Sequence, residues 1–335
     1  MSGATSALPP FDAVEPFETH ERSVLKRRWW ERALVAIDIG AKHGTGIRLA
    51  DLLALLPEEA PSTEEDLARW IADALPEAAV FDGTVFPGSP PPEVRSGEAE
   101  RADRAERWIR AAEELVSRGL GPAGSLVRCV AVTGSAAYGQ VWPEDDLDLL
   151  VVTSPGTLWS FLLLAFLDLR LRARRVGGER IRWCLNYAVD LPRARAEYRR
   201  SRGFQFAREA LTARVVYGAP EYTSLLKEGS WMAGEMPRLY GRRRCAGAGE
   251  AAPARPTPLW ARLLDPIVFV VLGSYLQAVG LVRNRRLRRA GETSKVFATT
   301  TRRSMMAYES QEFRELGELY NAQPDHGEAF GFDDL

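Results

Sequence analysis

The stretch from Val130 to Thr153, VAVTGSAAYGQVWPEDDLDLLVVT, constrains this 335-residue chain more than any other. It reads as a strand broken at Gly134, a short helical turn, a Pro-acidic loop, and a second strand opening on Asp146-Leu147-Asp148. Residues i and i+2 of a strand project to the same face. Asp146 and Asp148 therefore point together, while Leu147, Leu149 and Val151 point the other way, into a core. Two carboxylates this close raise each other's pKa, a cost that structure alone does not require and that a divalent cation relieves. Such oxygen-rich pairs with spare water positions suit Mg²⁺, which joins protein carboxylates to substrate phosphates. At the other end of the unit, Gly134 lets a phosphate approach the backbone. The Ser135 hydroxyl and the N–H groups of the helix start can donate to it.

The rest of the chain supplies a setting for that unit. Residues 1–22 read as a flexible lead, acidic and without a base before Arg22, unlike a secretory or mitochondrial leader. Helical spacing begins at Ser23, a second helix spans about Ile47 to Leu56, and a third follows the capping pattern Ser62-Thr63-Glu64-Glu65 as far as Leu75. Asp82-Gly83 between two β-prone runs then predicts a tight hairpin. Three helices and a hairpin describe a winged-helix-like domain over 23–95. Its third helix carries Glu64, Glu65, Asp66 and Asp73 against Arg69, so DNA phosphates would repel it, and DNA is an unlikely partner. A core domain is expected over 96–240, with a helix at about 101–118, strands at 126–133 and 181–189, an apolar helix at 158–175, and helices at about 204–216 and 221–235. A Gly/Ala/Pro-rich linker at 241–258 precedes a helical C-terminal region with a loose tail, 259–335.

Gly134-Ser135, ten intervening residues and Asp146-x-Asp148 resemble the signature of the nucleotidyltransferase superfamily, the polymerase-β-like fold. The order of winged helix, core and helical C-terminus is also similar to an uncharacterised prokaryotic family of such fusions. Cys184 to Tyr187 (CLNY), residues 211–213 (LTA) and the segment from Trp231 to Pro237 carry that likeness. The resemblance implies an α+β, mixed-sheet core and a mechanism with two Mg²⁺ ions held by Asp146 and Asp148. One ion would activate an acceptor hydroxyl and the other would stabilise the departing pyrophosphate. Gly134 and Ser135 would bind the β- and γ-phosphates. The family usually adds a third carboxylate on a neighbouring strand, as metal ligand or base. Asp190 is the acid at the end of the 181–189 strand, in line with Asn186 and Ala188, although it also fits a turn before Leu191-Pro192; Glu179 is a weaker candidate.

The remaining signals are less specific. Glu144 and Asp145 are expected to shape the loop before the second strand, and Tyr138 to pack locally rather than stack on a base. Three scattered histidines match no ligand spacing, and three widely spaced cysteines support neither a disulfide framework nor a zinc knuckle. Net charge is −1, so binding to polyanions would have to be local, in the Arg-rich stretches 170–182 and 281–303. Residues 266–282 are apolar for 17 positions but diluted by Ser274, Tyr275 and Gln277, which predicts a buried core helix and no membrane partner. The expectation is a cytoplasmic, Mg²⁺-dependent enzyme moving a nucleoside monophosphate, AMP first, from a nucleoside triphosphate such as ATP to a hydroxyl on a small molecule or protein. The alternative is a non-catalytic nucleotide sensor or DNA- or partner-binding regulator.

Overall fold

Local signals cut the N-terminal elements at predictable places. The computed structural model describes residues 29–42, 44–90, 92, 94, 97–119, 121–171, 175–176, 179–246 and 256–311, with 314, 315 and 318. The expected lead (1–22), the start of the first helix (23–28) and the tail lie outside them. Helix α1 is Trp29–Lys42, strand β1 Ile47–Arg48, α2 Leu49–Leu55 and α3 Glu64–Ala74. Helix α2 starts two residues later than its apolar spacing suggests, because Ile47 and Arg48 pair with Val85 and Thr84. At α3 the cap is Thr63, whose hydroxyl accepts the Asp66 N–H at 3.1 Å. Strands β2 (Ala79–Phe81) and β3 (Thr84–Phe86) flank Asp82 and Gly83, both at positive φ (46° and 74°), as a two-residue hairpin turn requires. The small sheet runs β1-β3-β2.

From Glu98 onward the chain builds a six-stranded mixed sheet. Helices α4 (Glu98–Gly119) and α5 (Gly121–Gly124) lead into β4 (Val127–Thr133), the single turn α6 (Gly134–Ala137) and β5 (Asp146–Thr153). Helix α7 (Leu158–Leu171), the small ribbon β6 (Arg175–Val176) and β7 (Glu179–Arg180), and β8 (Arg182–Asp190) follow. Then come α8 (Leu191–Arg199), α9 (Gly203–Thr212), β9 (Arg214–Tyr217), α10 (Ala219–Glu228), α11 (Met232–Glu235) and α12 (Pro237–Ala246). The last elements are the long helix α13 (Leu259–Arg289), β10 (Phe297–Arg302) and β11 (Met305–Ser310). Strand order is β10-β11-β8-β5-β4-β9, with β5 and β8 parallel and the other pairs antiparallel. The fold is α+β.

Three expectations need correction. Residues 214–217 form an edge strand on β4 rather than the end of a helix, because the β-branched pair Val215-Val216 follows the helix end at Thr212. The C-terminal region is not wholly helical, since β10 and β11 extend the central sheet through pairing with β8. Helix α13 is not a core helix. It is long and apolar enough to cross a membrane by length and composition, with mean hydropathy 1.7 over its most apolar window, yet only 22% of that window is buried.

Both faces of the sheet are covered. Leu147, Leu149 and Val151 pack with Trp108 of α4 and with Leu158, Trp159 and Phe161 of α7. On the other face Leu150 and Val152 join Ala33, Leu52, Leu67 and Ile71 of the N-terminal helices, and Tyr198, Leu211 and Leu225 of α8–α10, in one cluster. The N-terminal helices therefore share their core with the sheet. Arg238 of α12 fastens them further, donating to the carbonyls of Pro61 (2.8 Å) and Ala60 (2.9 Å).

A buried carboxylate holds α13 to the body. Asp265 is 1% exposed, and one of its oxygens accepts the N–H of Trp159 (2.7 Å) and of Ser160 (3.1 Å) at the start of α7. Asp265→Ala leaves both donors unpaired and is expected to cost about 2–3 kcal/mol in urea denaturation.

Candidate functional site

The geometry of the site follows from register. Strand β4 runs antiparallel to β5 with Thr133 opposite Asp148, so the chain turns at Gly134 directly beside that carboxylate. Gly134 has φ +65°, and a Cβ built on it would lie 2.7 Å from Asp148 Oδ2. No other residue fits this bend without moving the acid. Along β5 the burial alternates as expected: Leu147 and Leu149 are buried, while Asp146 is exposed and Asp148 half-buried on the opposite face.

Gly134, Ser135, Asp146 and Asp148 open into a cleft of about 570 Å³. Its other walls are α9, through Gln205, Arg208, Glu209 and Thr212, and the N-terminal helices and β1, through Ile39, Gly40, Ile47 and Arg48. The volume suits a nucleotide-sized ligand. The Ser135 hydroxyl has no hydrogen-bond partner among the described residues and lines the cleft.

The acids are electrostatically crowded. Burial first, then the charges of Asp146, Glu209 and Asp145, push the Asp148 carboxyl up to about 7, against a hydrogen bond from the Cys184 thiol. Asp146, although its edge is exposed, is raised by partial desolvation within the cleft and by Asp145, while Arg182 and Arg283 pull it back. No ion pair within 4 Å reaches either carboxylate among the described residues. Those residues also contain no group of three His, Cys, Asp or Glu side chains able to hold a metal ion by themselves. Two carboxylates on one face without an ion-pair partner are a donor set that would suit Mg²⁺, with water and substrate phosphates able to complete its coordination.

Of the residues expected at the site, Gly134, Ser135, Asp146 and Asp148 come together and Asp190 does not. In the parallel pairing of β5 with β8, Asp148 is level with Cys184, whereas Asp190 is level with Thr153. Five residues along the strand separate them, roughly 16 Å. Asp190 instead caps α8, accepting the Arg193 N–H at 3.1 Å, which is the turn-side alternative. Glu179 lies in the β6–β7 ribbon, off the central sheet. A register shift between Asp148 and Leu150 breaks the parity from which Asp190 is placed, and Asn186 lines the cleft instead.

Two further expectations concern the loop and Tyr138. Asp145 accepts the Trp142 N–H at 2.9 Å and so shapes the loop. The Tyr138 hydroxyl donates to Glu209 Oε1 at 2.6 Å, with the Arg208 guanidinium 4.4 Å from its ring centroid. That contact identifies what the sequence does not show: besides Asp51 and Asp145, the cleft is lined by the carboxylate Glu209, supplied by a helix more than 60 residues beyond Asp148. A single acid on an amphipathic helix carries no local signal. Comparison with protein-family models, curated proteins and solved structures gives no match.

Proposed function

We propose that this chain is a Mg²⁺-dependent nucleotidyltransferase that moves a nucleoside monophosphate, AMP first, from a nucleoside triphosphate to a hydroxyl acceptor and releases pyrophosphate. One observation carries the reading: paired Asp146 and Asp148 begin a central strand within a side chain's reach of the Gly134-Ser135 bend, and all four line one cleft. The central sheet, with β4 antiparallel and β8 parallel to β5, agrees with the mixed-sheet core that the resemblance implies. The β1-β3-β2 order with three helices supports a winged-helix-like module. Its α3 acids Glu64, Glu65, Asp66 and Asp73 are exposed, and its α1 and β1 face the cleft, which favours acceptor positioning over DNA reading.

In this reading Ser135 and the backbone of the bend hold the terminal phosphates, and Asp146 and Asp148 hold Mg²⁺. The ion supplies charge neutralisation of the triphosphate when bound. Glu209 takes the role of base for the acceptor hydroxyl in this reading, because it lines the same cleft and its charge bears on Asp148. The test is pyrophosphate release from labelled triphosphates with Mg²⁺ and a cell extract as acceptor source. Release that survives Asp148→Ala excludes the assignment, and nucleotide binding without turnover favours a sensor.

Glu209 and Asp190 are separable by mutation. Glu209→Gln is expected to lower kcat by about 10²-fold or more. Asp190→Ala should cost about 1 kcal/mol of stability through the lost cap and leave kcat unchanged. The reverse pattern would return the base to Asp190.

A further inference from the structure

Helix α13 meets the rest of the protein along one narrow stripe. Ala261, Asp265, Val268, Leu276 and Gly280 are buried, and the π turn Phe269–Gly273 keeps that stripe in register over the helix's length. Gln277 donates to the Thr299 carbonyl (2.9 Å) and Asn284 to that of Phe297, which fixes the helix on β10. The opposite side faces outward. Eleven large apolar side chains between Leu259 and Val282, among them Leu263, Ile267, Val270 and Val271, are 42–70% exposed. Together they present roughly 1,000 Å² of apolar surface along one rod, against the few hundred in the largest patch of an ordinary soluble monomer.

The border of this face is basic. Arg262, the five arginines between positions 283 and 289, and Arg302 and Arg303 are all exposed. None of the eight makes an ion pair within 4 Å among the described residues. The only acid on α13 is Asp265, which is buried against α7. An isologous dimer would set this patch against its own copy, bringing cationic borders together with no counter-charge. An anionic plane has the opposite property: its apolar interior accepts the rod while its phosphates meet the arginines.

We infer that α13 is a membrane-docking helix that lies in the surface of an anionic bilayer, with Leu263, Ile267 and Val271 inserted among the acyl chains and the arginines at 283–289 against the headgroups. The hydrogen bonds to β10 and α7 hold the helix against the body, so it rests on the membrane and does not cross it. Arg283, whose charge bears on Asp146, puts the basic end of the helix beside the cleft. The docking reading itself does not depend on what the cleft catalyses.

The test is cosedimentation of the 335-residue chain with vesicles of phosphatidylglycerol and phosphatidylcholine. Binding is expected, at least tenfold weaker on phosphatidylcholine alone. Ile267→Asp with Val271→Asp, and separately Arg285→Glu with Arg286→Glu, should each weaken it tenfold or more at unchanged Tm. Ile267 and Val271 are 61% and 67% exposed, and both arginines are exposed, so no buried side chain is replaced, and a melting curve on each variant verifies that it folds. A monomer that stays in the supernatant overturns the inference. So does a dimer that ignores vesicles but dissociates on Ile267→Asp, which would assign the face to a second copy. Equal binding to both vesicle types would also overturn the role of the arginines.

Discussion

Asp148→Asn is expected to abolish pyrophosphate release, by about 10³-fold or more, while making the metal-free protein more stable. Both effects come from one carboxylate. Removing a metal ligand forfeits several kcal/mol of charge stabilisation in the transition state. In the metal-free protein, the same group is buried beside other acids and pushed up to about 7. An acid whose folded pKa lies above its unfolded value of about 3.9 binds its proton better in the folded state. Its contribution to stability is complete below pH 4 and is lost as pH rises through 7. At pH 8 the charge therefore costs up to about 4 kcal/mol, which the neutral amide avoids. Thermal melts should show wild type and variant nearly equal at pH 4 and the variant several degrees higher at pH 8. Mg²⁺ with nucleotide should raise the wild-type Tm at pH 8 and leave that of the variant in place. A variant less stable at every pH would mean that Asp148 is a structural residue, as a buried hydrogen-bond acceptor would be.

The second large effect is expected at Gly134. Alanine there meets two penalties. A residue with a Cβ in the left-handed region costs about 1–2 kcal/mol. The new methyl would also lie 2.7 Å from Asp148 Oδ2, so the carboxylate must move. Displacement of a catalytic group by about 1 Å is enough to cost roughly 10²-fold in rate. Gly134→Ala should thus lower kcat by about two orders of magnitude with a modest fall in Tm. Ser135→Ala, which adds no bulk, should act chiefly on KM for the triphosphate. Wild-type turnover in Gly134→Ala would show that the bend and the acid pair do not work as a unit.

Much of the site is legible in the sequence because it is local. The face shared by Asp146 and Asp148, the opposite burial of Leu147 and Leu149, and the break at Gly134 all follow from the two-residue period of a strand. The Asp82-Gly83 turn and the α3 cap are local too, with the cap at Thr63 because its hydroxyl reaches Asp66. What is not legible depends on partners distant in the chain. Glu209 reaches the cleft because α9 packs over the sheet. Asp190 is far from it because β8 runs parallel to β5, so the end of β8 lies level with the end of β5 and not with Asp146 and Asp148 at its start; the register shift only adds a change of face. Residues 297–310 (FATTTRRSMMAYES) lack a Gly, Pro or Asn at their turn, so only Ser304 marks the hairpin of β10 and β11, a weak signal. Helix α13 misleads for a related reason. An apolar sequence predicts burial only if a partner covers each face, and here the protein covers one.

The acid pair as a cation grip is tested most directly by titrating Mn²⁺, followed by electron paramagnetic resonance, into the protein with a non-hydrolysable ATP analogue. Binding of one or two ions is predicted for wild type, strengthened by the nucleotide and lost in the Asp146→Asn, Asp148→Asn double variant. Ion binding that is unchanged in the double variant, or absent from the wild type with nucleotide present, would contradict the account.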